Sequence, residues 1–255
     1  MACFFPVPAW RVRGGLKSDG KWPLTFREKE GWKETEIMVP CGKCIGCRAD
    51  YARSWAVRCI NEASMHEKNC CVTLTYDDNH LPSDGLLCKR DLQTFFKRLR
   101  KALGSFRYFG CGEYGSVGSR PHYHVLLFGL DFPDKTLVTR HCGEKFYDSK
   151  LLRRIWSNGH VTIGSVTSKS AAYVARYCLK KLKQEVTYDV AEFTTMSLKP
   201  GIGTDWLKRY KSDIVSAGAC VSRDGIFSVP KFYEIKTVDT YEVENHYKRG
   251  LVSYA

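Results

Sequence analysis

Nothing in this chain of 255 residues approaches the roughly 20 consecutive apolar residues that a membrane helix needs. Acidic residues are also in short supply, 27 against 40 basic ones, for a formal charge of +13. A secretory leader is not expected, because Met1 to Arg13 carries two prolines in a short apolar run and places its arginines after that run. A nucleotide-binding loop is missing too. Gly15-x4-Gly20-Lys21 has the spacing of one, but Trp22 stands where a Ser or Thr is required. Gly110-x-Gly112-x-x-Gly115 imitates a dinucleotide fingerprint, yet a strand is predicted after it where that fold needs a helix. Internal repeats and low-complexity tracts are absent. Together these absences exclude a membrane span, a dinucleotide enzyme and a nucleotide-driven motor.

What is present points to a globular protein with a polyanionic partner. Apolar residues make up 44% and aromatics 13%, enough for a core in one large domain or in a domain with an appendage. The excess of positive charge is met most simply by nucleic acid, the alternative being a generally cationic surface. Twelve cysteines would suit a disulfide framework only in a smaller, secreted chain. Cys59, Cys70, Cys71, Cys88, Cys111, Cys142, Cys178 and Cys220 are scattered and read as small buried hydrophobes. Cys41, Cys44 and Cys47 differ, forming C-x2-C-x2-C, a spacing at which thiolates share one soft metal. A tetrahedral site needs a fourth ligand. Cys3 is the first choice, since it would tie the N-terminal arm to the helix that starts near Cys47, and Cys59 is the next. Structural zinc is expected, although iron–sulfur clusters use the same spacing.

Periodicity organises the rest. Residues 1–40 look irregular, broken by Pro6, Pro8, Gly14, Gly15, Gly20 and Pro23. Trp55, Cys59 and Ala63 recur at helical spacing from Cys47 to about His66. Cys70 to Tyr76 predicts a strand. Leu92, Phe95, Phe96 and Leu99 predict an amphipathic helix whose outer face holds Lys97, Arg98, Arg100 and Lys101. That face suits either solvent or DNA. Phe106 to Glu113 and His122 to Gly129 predict a hairpin. Leu151 to Trp156 predicts a short helix, Gly159 to Val166 a strand and Ser168 to about Lys183 a helix. A loop is expected over Met196 to Gly203, a short helix over Thr204 to Tyr210, and two strands in the last forty residues. Strands and helices mix without a strict βαβ period, so the expected class is α+β with a mainly antiparallel sheet.

Two constellations carry chemistry. On a strand, His122 and His124 point to one face while Tyr123, Val125 and Leu127 point to the other. Glu113, on the partner strand of the hairpin, can complete a set of two imidazoles and a carboxylate for Mn2+ or Mg2+. On the helix after Ser168, Tyr173 and Tyr177 lie four apart on one face, with Lys180 and Lys181 in the next turn. A cation and a metal-polarised phosphate would ease attack by such a tyrosine.

These residues carry a resemblance. His122-Tyr123-His124 resembles the His-hydrophobe-His motif of HUH endonucleases, with Tyr123 a less apolar central residue than is usual. Tyr173-x3-Tyr177 resembles the paired tyrosines of rolling-circle initiators, and Tyr177-x2-Lys180 the Tyr-x-x-Lys signature of viral Rep proteins. Val72-Thr-Leu-Thr-Tyr76 sits where the first, strand-borne motif is found, and Cys111-Gly-Glu-Tyr-Gly115 resembles the third-ligand segment. The run from Pro40 through Gly203 is similar to the replication initiation proteins of gokushoviruses, phages of the microvirus family with single-stranded DNA.

The resemblance implies an HUH fold and a site-specific nickase. A divalent metal would sit on His122, His124 and Glu113, and a tyrosine would take a 5′-phosphate and later rejoin the strand. Lys180 or Lys181 would steady the phosphate or the phenolate, and Thr73 and Thr75 of the first motif would join the four helix cations in binding DNA. The partner implied is a single-stranded origin in the cytoplasm of a bacterial host, with a host helicase supplying strand opening and no membrane or nucleotide cofactor involved. The expected organisation is 1–48 as arm and zinc knuckle, 49–185 as nickase core, and 186–255 as an extension. Two competing functions are a non-catalytic zinc-stabilised DNA-binding protein and a transposase of the same chemical class.

Overall fold

Alternation of apolar side chains builds the centre of the protein. In the strand Asn69–Tyr76, Cys70, Val72, Leu74 and Tyr76 are buried and the residues between them are half-buried, as in a strand covered on both faces. The computed structural model describes residues 3–15, 22–115, 118–180, 190–222 and 225–237. It divides into two compact units, residues 1–51 and 52–255.

In the first unit, β1 (Val7–Arg11) pairs antiparallel with β2 (Leu24–Thr25) and with β3 (Ile37–Val39). This small sheet lies where the sequence predicted only irregular chain. Strands of two to five residues complete too few alternations to register between so many breakers. Helix α1 (Ile45–Ser64) begins in this unit.

The second unit continues with β4 (Asn69–Tyr76), α2 (Lys89–Leu103), β5 (Arg107–Tyr114), β6 (Pro121–Phe128), β7 (Thr136–His141) and β8 (Glu144–Asp148). Then follow α3 (Lys150–Trp156), β9 (Gly159–Gly164), α4 (Ser168–Lys180), β10 (Phe193–Met196), α5 (Thr204–Ala217), β11 (Ala219–Ser222) and β12 (Gly225–Ser228). Seven strands make one sheet in the order β10-β5-β6-β4-β9-β8-β7, every pairing antiparallel. The class is α+β, as expected. No helix among the described residues is long and apolar enough to cross a membrane.

The two sheet faces carry different cores. On one, Leu92, Phe95, Phe96 and Leu99 of α2 pack with Trp156 of α3 over Val72, Leu74, Tyr123, Val125 and Ile163. On the other, Ala171, Val174 and Ala175 of α4 pack with Trp55 and Cys59 over Phe109, Cys111, Leu126 and Phe128. Burying six or so large side chains per face, at about 1.5–3 kcal/mol each, holds the sheet between its helices.

Three features depart from the sequence reading. The β7–β8 hairpin was not foreseen, because every residue of β7 is exposed and shows no alternation. β10 was not foreseen either, and its bonding to β5 places residues 193–196 in the main sheet instead of in a separate extension. Helix α5 continues to Ala217, but its backbone breaks at Tyr210 (φ −114, ψ 21), where the shorter helix was expected to end.

Candidate metal centre and tyrosine site

The register of β5, β6 and β4 assembles the first cluster. Glu113 lies directly across from His122, and His122 across from Thr75. Cys111, His124 and Thr73 form the next row. Side chains in register share a face, and this is the face covered by α4. Glu113 Oε1 is 2.9 Å from His122 Nε2 and 2.8 Å from His124 Nε2. Ligand atoms of the three residues all lie within 4.8 Å of one another, and Glu113 is buried.

Proton accounting tests whether a cation fits. His122 Nδ1 is 3.0 Å from the Arg120 carbonyl, which can only accept, so Nδ1 carries the hydrogen. The Nε2 lone pair of a neutral His122 then faces the Glu113 carboxylate, and two acceptors at that distance need a positive charge between them. A second proton or a metal ion supplies it. Two ligands bound at about 2.1 Å on adjacent corners of an octahedron are about 3 Å apart, close to the observed spacings. The donor set therefore fits a divalent ion.

Outer contacts fix both rings. Arg120 pins its own loop through a 2.9 Å bond to the Tyr76 carbonyl and an ion pair with Asp78. Thr73 Oγ1 lies 2.9 Å from His124 Nδ1, and such contacts orient metal-binding imidazoles. Thr73 and Thr75 were expected to touch DNA. The structure makes Thr73 a partner of His124 and sets Thr75 beside His122 in the register, placements that became legible only once strand order was known.

Tyr123 sits between the histidines with no exposed surface. Its hydroxyl donates to the Cys88 carbonyl at 2.9 Å, accepts from the Cys88 amide at 3.0 Å and lies 2.8 Å from Tyr76. Burial pushes its pKa up to about 12. A polar residue is tolerated at this apolar position because its polar atom is satisfied. Gly112, part of the false dinucleotide motif, is a packing residue, since a Cβ there would come within 2.8 Å of Phe193.

Helix α4 brings Tyr173 to the cluster. Its hydroxyl donates to Glu113 Oε1 at 3.2 Å, and its ring lies 5.0 Å from that of His124. Arg176 stands 5.1 Å over the Tyr173 ring. Tyr177 and Lys180 belong to the last turns of α4, but their side chains lie outside the described residues, as does all of Lys181. Lys97, Arg98, Arg100 and Lys101 are exposed on α2, which packs on the opposite sheet face. Arg98 bonds Ser157 at 2.9 Å and Arg100 stacks 4.8 Å over Phe106. The structure does not bring these four cations to the cluster. Their helical periodicity showed that they share a side, but not which sheet face that helix covers.

The second cluster lies wholly in the first unit. Cys3, Cys41, Cys44 and Cys47 have sulfurs within 4.8 Å of one another, and Cys44 Sγ is 3.8 Å from Cys3 Sγ. Thiolates bound at about 2.3 Å in a tetrahedron are about 3.8 Å apart. Gly42 (φ +72) makes the left-handed turn between the first two cysteines of the motif. Backbone amides donate to the sulfurs, Cys44 to Cys41 at 3.3 Å and Cys47 to Cys44 at 3.4 Å. The Cys47 and Phe4 amides pull the Cys44 thiol down to about 6, whereas burial raises Cys47 to about 12. The alternative ligand, Cys59, is buried in the sheet core instead.

The sheet, the carboxylate–imidazole cluster and the tyrosine helix lie largely in one segment, residues 69–182, which matches the family model of the ORF2-type replication-associated proteins. The class is therefore that of phage replication-associated proteins. The chain is 36% identical over 249 residues to Replication-associated protein VP4 of Bdellovibrio phage phiMH2K, covering 92% of this chain and 76% of that protein. It is 35% identical over 264 residues to Replication-associated protein ORF2 of Spiroplasma virus 4, covering 92% and 79%. Replication-associated protein ORF4 of Chlamydia phage 1 is 27% identical over 216 residues, covering 79% and 54%. This chain belongs to the replication-associated proteins of gokushovirus-type phages. No solved structure matches it.

Proposed function

We propose that this protein is an HUH-type nickase and strand-transferase that starts rolling-circle replication at a single-stranded origin. The observation that carries the reading is the convergence on Glu113 Oε1, where two imidazole nitrogens and the Tyr173 hydroxyl all lie within 3.2 Å. Glu113, His122 and His124 would hold Mn2+ or Mg2+, which when bound polarises a phosphate and neutralises its charge. The Tyr173 O–H points at a carboxylate, so its proton has an acceptor as the oxygen attacks phosphorus. The new P–O bond forms a 5′-phosphotyrosine. The bond to the 3′-oxygen breaks, and that oxygen leaves as a hydroxyl. Because the ester conserves the bond, the reverse attack rejoins a strand without a nucleotide. Helical spacing puts Tyr177 on the same side of α4, where it can serve a second cleavage. Lys180 and Lys181 are proposed to steady phosphate or phenolate, and the α2 cations to hold more distant DNA. The cysteine cluster is proposed to bind structural zinc. Work in the host cytoplasm, with strand opening left to a host helicase, fits this chemistry.

The test is to incubate labelled single-stranded DNA from the phage genome with protein, in Mn2+ and in EDTA. A protein-linked product formed only with metal is expected. DNA bound without cleavage in either condition would return the non-catalytic alternative, and linkage at mobile-element ends instead of the origin would return the transposase.

A further inference from the structure

A cavity of about 260 Å3 opens on the cluster's face of the sheet, between β8, β9 and the start of α4. Its walls include Thr73, Phe146, Thr162, Lys169, Ser170 and Tyr173. Two of these also touch the cluster. Thr73 Oγ1 is 2.9 Å from His124 Nδ1, and the Tyr173 hydroxyl is 3.2 Å from Glu113 Oε1. The cavity thus begins where the scissile phosphate would lie.

Its chemistry is that of a base site. Phe146 is half-buried and offers a flat apolar wall, seated against Gly164, where a Cβ would meet the ring at 3.8 Å. Thr162 is exposed and lies in register with Thr73. Ser170 shapes the rim, since its hydroxyl accepts from the Thr167 amide at 2.8 Å and donates to the Ser165 carbonyl at 3.0 Å. Lys169 stands outside, 84% exposed and 4.0 Å from Glu144. An aromatic wall, a hydroxyl and a cation beside a nucleophile suit one unpaired nucleotide, because a base stacked inside a duplex cannot enter such a space.

We propose that this cavity is a nucleobase subsite. It takes the base of a nucleotide adjoining the phosphate at the cluster, stacks it on Phe146, reads its edge with Thr162 and holds its backbone with Lys169. The inference rests on the nickase reading, and it assigns origin preference to residues outside the cluster and the tyrosine pair.

The experiment uses the full chain in EDTA and short oligothymidylates carrying one internal 2-aminopurine. Stacking should quench the 2-aminopurine fluorescence. Phe146→Ala should abolish the quench and weaken binding roughly 5- to 150-fold, the equivalent of one lost base–aromatic stack. Thr162→Val should keep the quench and change the relative affinities for oligonucleotides with different bases. Circular dichroism checks folding, and if Phe146→Ala fails to fold, Phe146→Leu removes the ring while keeping apolar volume. No quench by the natural protein, or an equal quench by the ring-less variant, overturns the subsite. Adduct formation with Mn2+ is scored separately. An adduct without a quench removes the subsite alone, whereas no adduct on any phage-derived strand removes the nickase reading.

Discussion

Thr73 does its work through one hydroxyl. The His124 ring has its Nε2 at Glu113 and its Nδ1 at Thr73 Oγ1, so the threonine fixes which nitrogen faces the cluster. Thr73→Val keeps the shape and loses that contact. It should weaken Mn2+ binding roughly 10- to 100-fold by calorimetric titration, with the thermal midpoint little changed, because outer contacts of this kind tune metal affinity. Among the tyrosines, the double Phe substitution at Tyr173 and Tyr177 should leave no DNA adduct. Each single substitution should retain some first-strand cleavage if either ring can reach the cluster. Mass spectrometry of the trapped peptide reads this directly, and DNA attached to any other residue would refute the tyrosine mechanism.

At the scale of elements, one buried carboxylate joins α1, β5 and the turn before α5. Glu62 accepts from the Gly203 amide at 2.6 Å, pairs with Arg107 and lies 3.3 Å from His66. Arg107 in turn donates to the Pro200 carbonyl at 2.8 Å. Burial pushes the Glu62 pKa up, but His66, the Gly203 amide and Arg107 outweigh it and hold the group below its ordinary value of 4.5. A lowered folded pKa means stability that is present above the ordinary carboxylate value and lost as pH falls through the folded one. Glu62→Gln should therefore destabilise the protein at neutral pH by about 3 kcal/mol or more, the usual cost of orphaning one member of a buried pair. The gap from the natural protein should narrow as pH drops below 4.5. Denaturant titrations across that range measure it, and a gap that does not vary with pH would show that Glu62 is not ionised in the folded state.

At the scale of the whole molecule, charge and metal are distributed between different places. The sheet cluster occupies one face of the second unit, the α2 cations belong to the other, and the cysteine cluster lies in the first unit. DNA affinity should fall steeply with added salt, as release of counterions from a +13 chain requires. Alanine at Lys97, Arg98, Arg100 and Lys101 should flatten that slope while leaving cleavage of bound DNA intact. Native mass spectrometry should find one zinc per chain. Cys41→Ser should lose it and make the first unit susceptible to protease, since metal binding energy is folding energy in a unit this small. Full retention of zinc by that variant would remove the assignment.

How much of this was legible from residues alone follows from range. Local periodicity was enough for α1, β4, α2, the β5–β6 hairpin and α4, because each buries a stripe that repeats at 2 or 3.6 residues. It was enough for both ligand sets as well. Glu113 meets His122 through a single tight hairpin, and the three motif cysteines are closely spaced in the chain, with Cys3 brought in by the pairing of β1 with β3. Short or exposed strands such as β1, β7 and β10 left no such stripe. Which helix covers which sheet face was also undetermined, since an amphipathic pattern says that a helix packs and not where. Tertiary structure alone decided that α4 covers the histidines while α2 lies behind them, that Thr73 serves His124, and that Tyr173 reaches Glu113. Those outcomes depend on strand order and register across residues far apart in the chain, 51 positions for Thr73 and His124 and 60 for Tyr173 and Glu113, and no local pattern encodes such pairings.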